Sequence, residues 1–348
     1  ESSDTITIGA SGDTVNIVGT LQNNGSAVEV DSVTFKEGGT NFTNSLLVGT
    51  DSTGTLDSAD GNTGVGVGVF GALTSGDNNV AVGLNALDVN TTGACNVAVG
   101  HVALASNTTS NANTAVGHCS LNDNTTGVNN TALGSASLRD NTTGGKNVGL
   151  GVNAIRNGTT GCCNVAVGVS AMQNSSTGSD NTAVGNGALQ ANNTGYNNTA
   201  VGSCALNANT TGSQSVAIGL KASCSNTEGF KNVAIGQCAL LSNTTGDENV
   251  AIGVDALKDG TDVLRNVAIG CHALCANTAN DNIAVGVEAM KSNTSGTSNT
   301  AVGRAALCAN TTGSDNLALG RSALVKNTEG DCNTAVGGQN ALACNTTG

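Results

Sequence analysis

Glycine recurs in this chain on a beat of 17 residues, and that beat constrains the fold more than any other feature. Gly83 is followed by Gly100, Gly117, Gly134, Gly151, Gly168, Gly185, Gly202, Gly219, Gly236, Gly253 and Gly270. One 16-residue interval leads to Gly286, and the 17-residue spacing resumes through Gly303, Gly320 and Gly337. Self-similarity this strict predicts a solenoid, a chain that climbs one unit per repeat and contacts mainly its neighbours. The fold class is therefore all-β: a parallel β-solenoid, of the β-roll or β-helix kind, with about sixteen 17-residue coils and a short β-rich N-terminal segment.

Taking each marker glycine as position zero, position −4 is Asn in every coil from Asn79 to Asn333 except at Ser215. Position −2 is Ala except at Gly149, position −1 is Val, Ile or Leu, and position −3 adds Thr to that set. Such a short run of β-branched residues predicts a strand that the glycine ends at a corner, where a side chain or a negative φ would not fit. The turn glycines singled out on this ground include Gly83, Gly100, Gly117, Gly168, Gly219, Gly270 and Gly320. Positions +3 and +4 are mostly Ala-Leu, which predicts a second short strand, and the NTTG that follows predicts the closing turn. Departures from the grid, such as NTAND in the 16-residue coil and KDGTDVL after Gly253, fall at bends.

The boundaries that follow are residues 1–36 as a β-rich segment, 37–61 as a linker or cap, and 62–348 as the solenoid. Alternation in TITIG, TVNIVGTL and AVEVDSVTF predicts strands in the first of these. The opening on Glu1 rather than Met fits either a removed leader or a sequence that is part of a longer chain, and no signal peptide is recognisable.

Composition enters where it limits function. With 49 Gly, no Pro, no Trp, one Tyr and four Phe, the core must be long, thin and filled by small side chains. A formal charge of −13 with only 12 Lys plus Arg argues against nucleic acid as a partner. No apolar run reaches the ~18 residues of a membrane span. Twelve cysteines suggest an oxidising, extracellular setting. Their columns predict no rung-to-rung bridges, leaving pairing across a coil, between chains or not at all, with many read as small buried hydrophobes.

Alternation within the strand places −3 and −1 on one face and −2 on the other. Both sets are apolar, and a strand apolar on both faces is normally covered on both. The narrow alanine column, including Ala98, Ala166, Ala217, Ala268 and Ala318, is thus a candidate interface for a second copy of the chain. The expected assembly is a homotrimer or a head-to-tail filament, with a host-surface receptor or glycan as a further partner, and without membrane insertion.

Candidates for chemistry are few. His101 and His118 share position +1 in successive coils and should stack one strand spacing apart, beside Cys119. Asp77, Asp180, Asp247, Asp281 and Asp315 sit in the closing bend without the carboxylate density of calcium loops. Asn90, Asn107, Asn124, Asn141, Asn209, Asn243, Asn310 and Asn345 head N-T-T sequons, so one sugar per coil would line the bend in a glycosylating source. No catalytic, cofactor or metal residues are assigned.

SVAIGLKA from Ser215, NVAIGQCA from Asn232 and NVAIGCHA from Asn266 resemble the head repeats of trimeric autotransporter adhesins. That resemblance extends from Asn62 onward and implies a parallel β-roll, association of three chains and a surface-exposed adhesive head. The repeat here is longer than the family's, and its neck, stalk and anchor are missing. The opening stretch DTITIGASGDTVNIVGTLQNNG looks instead like the start of marine phage tail fibres, which also carry NTAVG-type arrays and often end in a self-cleaving chaperone. The expected function is a non-enzymatic structural or adhesive fibre, located outside the cell or on a virion. Ice binding and glycan binding are the alternatives.

Overall fold

The computed structural model describes residues 28–30, 33–37, 41–49 and 54–347. It is an all-β stack in which 18 parallel strands form a solenoid of about 17 turns. Strands β1 (Val28–Val30) and β2 (Val33–Glu37) pair antiparallel, and β2 pairs antiparallel with β3 (Leu46–Gly49). From β3 onward every strand lies parallel to the next, through β4 (Thr63–Gly66) and the three-residue strands from β5 (Val80–Val82) to β18 (Thr300–Val302), ending in β19 (Leu317–Arg321) and β20 (Thr334–Gln339). Register is held column by column, as in Val80↔Val97 and Ala217↔Ala234. It survives the 16-residue coil, where Val267 still faces Ile283. At about 4.8 Å per rung the stack is about 80 Å long.

The one strand expected over AVEVDSVTF is instead two, β1 and β2, paired antiparallel, whereas TITIG and TVNIVGTL lie outside the described residues. The stretch read as a linker or cap holds the first rung, because Leu46 pairs with Thr63 and Gly49 with Gly66, 17 residues on. Its Ser45 accepts the Asn62 N–H on Oγ, as the −4 asparagines do elsewhere, and Phe42 and Leu47 close that end of the core.

Only one strand forms per coil. The expected second strand over Ala-Leu at +3 and +4 is instead a run of turns with φ positive at +2 and +4, for example Val102 at 50° and Leu104 at 50°. A strand would send adjacent side chains to opposite faces, but here Ala103 and Leu104 both point inward and are fully buried. Left-handed backbone costs a non-glycine residue about 1–2 kcal/mol, and burying the leucine offsets that with about 1.5–3 kcal/mol. The alternating backbone also aims successive N–H groups up and down the rod. Val102 N–H donates to Leu84 O of the preceding coil at 2.9 Å, and Leu104 N–H to Ser120 O of the following coil at 3.1 Å.

The marker glycines end the strands as expected. Gly83 has φ 134°, and a Cβ there would lie 2.4 Å from the Gly100 carbonyl oxygen of the next coil, so both conformation and close approach demand glycine.

Two internal amide ladders close the coil. In the −4 column, Asn79 Nδ2 donates to Gly93 O at 2.9 Å, and its Oδ1 accepts the Asn96 N–H at 2.9 Å. In the +7 column, the asparagine of NTTG, Asn90 Nδ2 donates to Gly93 O at 2.9 Å and its Oδ1 accepts from Asn107 Nδ2 at 2.9 Å. Exceptions to the pattern keep its chemistry. Ser215 Oγ accepts the Asn232 N–H at 3.1 Å in place of an amide oxygen. Gly149 makes room for the Ser137 hydroxyl, which donates to Gly149 O at 2.8 Å. In the KDGTDVL coil, Gly260 replaces the +7 asparagine and buried Val263 fills the space, which leaves Asn243 Oδ1 without a partner.

The leucine column at +4 is broken at Ser223, which is buried between Leu206 and Leu240 with its hydroxyl unpaired. Ser223→Leu should raise stability by about 1–3 kcal/mol, since it removes an unpaired polar group and adds apolar burial; the midpoint of urea unfolding measures it. Conversely, Asn181→Leu strands the Asn198 N–H, while the Gly195 carbonyl keeps its second donor, Asn192 Nδ2. It should lower stability by about 1–3 kcal/mol for that orphaned group, whereas loss of an exposed turn asparagine would change the same midpoint by a few tenths.

Candidate interaction face

Inward positions are the small ones, so the outward strand face carries the larger β-branched side chains. Ala98, Ala166, Ala217, Ala268 and Ala318 are each 0% exposed within a single chain. The alanine column therefore lines the coil's own interior, and its reading as an intermolecular interface is overturned. A 17-residue circumference leaves an interior that two alanines, a leucine and two asparagines fill, and a Val or Ile column would overfill it. The surface left over is the −3 and −1 columns, with Leu133, Ile218, Ile269, Ile283 and Val302 exposed. Position +1 extends it at the rim, where Leu84, Val152, Val169, Leu220, Val254 and Val287 are exposed. Together these columns form a ribbed strip along the rod whose −1 column is Val, Ile or Leu throughout. Its −3 column carries Thr at Thr114, Thr131, Thr182, Thr199 and Thr300, and +1 turns polar in coils such as those of His101, Ser135, Asn186 and Arg304.

The sequon asparagines are placed where no sugar fits. Asn90, Asn107, Asn124, Asn209, Asn243 and Asn310 are 0% and Asn141 1% exposed, and their Nδ2 atoms are the donors of the +7 ladder. Nδ2 is the atom a glycan would bond, so the reading of these residues as a sugar row is corrected: Asn recurs there because the coil is closed from inside. Asn345, in the last sequon, likewise donates to Asn327 Oδ1 at 3.0 Å.

The bend outside that ladder is polar and varied. Threonines at +8 turn their hydroxyls onto the next coil, as in Thr91 Oγ1 to Thr108 O at 3.0 Å. Those at +9 are exposed without interruption from Thr92 to Thr211. Asp77 and Asp247 accept the backbone N–H of Asp60 and Phe230 in the coil before, at 2.8 and 2.9 Å, so they tie rungs together. Asp281 forms a two-pronged pair with Arg265 at 2.7 and 3.0 Å. The hydrogen bond from that guanidinium holds the Asp281 carboxyl below the ordinary aspartate range. Exposed Tyr196 and Phe230 occupy the same column two coils apart, with Lys231 Nζ 5.2 Å from the Phe230 ring centre.

His101 and His118 stack as the grid requires, with ring centres 5.1 Å apart and planes inclined by 12°. Among the described residues no group of three or more His, Cys, Asp or Glu could hold a metal ion, and no helix is long and apolar enough to cross a membrane. The twelve cysteines are all free, and all are exposed or half-buried, which overturns their reading as buried hydrophobes. The interior has no room for them because Ala, Leu and Asn already occupy every inward column. Partial burial still pushes the Cys224, Cys275 and Cys308 thiols up from the ordinary cysteine range.

Sequence alternation revealed that the strand had two apolar faces, but the +1 residues were missed as part of the strip. A signal existed, since Val or Leu recurs at +1 in seven coils from Val67 to Val287. Set beside known proteins, the chain matches no protein-family profile, no curated protein and no solved structure.

Proposed function

We propose that this chain is a non-enzymatic structural rod, the shaft or head of an extracellular or virion fibre, that self-associates along its strand face. The observation that carries this reading is the apolar strip. It is about 10 Å wide, from three residues per strand, and about 80 Å long. That is roughly 800 Å² per chain, the area one partner contributes to a stable protein interface. A strip this long, with its −1 column apolar throughout, is unusual on a lone soluble chain. Copies aligned side by side would bury the −3 and −1 columns against each other while the varied bends stay outward. Tyr196 and Phe230 on that outward side offer rings for a receptor glycan, which fits an adhesive role.

The test separates outward from inward bulk. Ile218→Asp combined with Ile269→Asp should lower the particle mass seen by light scattering while leaving the far-ultraviolet β signal unchanged. Ala217→Phe, pointing into the coil, should instead cost about 1–3 kcal/mol of stability and disturb mainly adjacent coils. A wild-type chain that stays a single copy at every attainable concentration overturns the self-association.

The exposed threonine column from Thr92 to Thr211 favours ice binding as a second reading, because identical hydroxyl and methyl groups repeat at the rung spacing of about 4.8 Å. Thermal hysteresis in a freezing assay, lost on replacing Thr143 and Thr160 by Lys, is the expected outcome for that reading. Freezing behaviour equal to that of an unrelated protein removes it.

A further inference from the structure

Cys271 and His272 occupy positions +1 and +2 of one coil, and Asp255 occupies +2 of the coil before. The positive φ of His272, 56°, swings its ring back over its sequence neighbour, and stacking of the two coils sets the carboxylate beside the ring's far edge. Cys271 Sγ lies 3.1 Å from His272 Nδ1, and His272 Nε2 lies 3.5 Å from Asp255 Oδ2. Asp255 is also 3.9 Å from Lys258 Nζ, so its charge is shared with one cation. Nucleophile, base and orienting carboxylate thus contact one another in succession, with the thiol half-buried at the rim of the strand face.

We infer that Cys271, with His272 as base and Asp255 as its positioning residue, is a nucleophilic thiol site that takes small-molecule or peptide disulfides. The Asp255 carboxylate favours the tautomer with the proton on Nε2, which leaves Nδ1 to accept from the thiol. Nδ1 takes the Sγ proton, and Sγ attacks one sulfur of R–S–S–R. The new Sγ–S bond forms as the S–S bond breaks, and the leaving RS⁻ recovers the proton from Nδ1 as RSH. Cys271 is oxidised to a mixed disulfide and the departing sulfur is reduced. Disulfides are the simpler substrate because exchange needs only access to an S–S bond, whereas acyl transfer also needs preorganised donors for an oxyanion.

The molecule contains its own comparison. Cys119 is also next to a histidine, but its Sγ is 3.5 Å from His118 Nε2, and that ring stacks on His101 with no carboxylate recorded at its other nitrogen. Cys95 is exposed, and its sequence neighbours are Ala94 and Asn96 rather than a histidine.

The experiment treats the full chain at neutral pH with dithiodipyridine, quenches at intervals and locates the adducts by peptide mass mapping. Cys271 should react at least about tenfold faster than Cys119 and Cys95, short of the hundredfold typical of an enclosed general base. His272→Gln should bring Cys271 down to the Cys95 rate with Cys95 itself unchanged, and Asp255→Asn should slow it part of the way. Particle mass is recorded on the same samples, and dilution to the single chain exposes the rim where copies have covered it. Equal rates at Cys271 and Cys95 in the wild-type single chain overturn the inference without need of any variant. So does a His272→Gln chain of unaltered β signal in which Cys271 reacts as fast as before.

Discussion

The hydrogen bonds that run between coils, backbone and amide together, are the interaction on which everything else in this rod depends. A three-residue strand supplies too few bonds to hold a coil to its neighbours. The remainder come from the alternating backbone at +1 to +4 and from the asparagines at −4 and +7, which saturate the carbonyls that bends leave facing inward. Each buried amide is tolerated because the next coil repeats it, and a buried polar group left alone costs about 1–3 kcal/mol. The repeat is thus a condition of stability: where it lapses at Ser175, Ser223 and Asn243 before Gly260 a buried polar atom is left unpaired, as is Arg156 Nε.

Close spacing is the second constraint, and it distributes residue sizes. Glycine at position zero permits backbone-to-backbone contact between rungs, and glycine at +10 does the same for the closing bend, where a Cβ on Gly93 would lie 2.5 Å from the Ser110 carbonyl oxygen of the next coil. Several departures come in compensating pairs, although Ser223 has no such partner. Gly64 at the alanine position accommodates Phe70 at the leucine position, as Gly149 accommodates Ser137. Size is conserved per coil rather than per column, which is how a narrow core stays packed. With the inside filled by alanine, leucine and asparagine, the Val and Ile of the coils other than Val69, Ile155 and Val263, and most of the Thr, sit at the surface. An apolar strip along the rod follows from that packing before any partner is considered.

Much of the architecture was legible beforehand. The 17-residue beat specified coil length, the turn glycines and the in-register ladder, because stacking identical coils leaves no other register. The alternation of AVEVDSVTF showed strand character but not the antiparallel pairing of β1 with β2 inside it. The candidate site was less legible. Cys271 and His272 are adjacent in the sequence, but Asp255 comes to them only through the coil stack, and the coupling of three side chains on two coils has no local signal.

What the sequence by itself determined was the period, the strand and the corner, since these depend on backbone freedom and β-branching at fixed positions. What only the tertiary structure decided was inside from outside. Period-two alternation separates Ala217 from Val216 and Ile218 but is symmetric between the two faces, and only the small cross-section of a closed 17-residue coil sends alanine inward. The same holds for the asparagine of NTTG. A turn asparagine bonding its own backbone and a buried asparagine bonding its image one coil away are written with the same letters, and closure of the coil alone makes Asn90 an internal ladder residue.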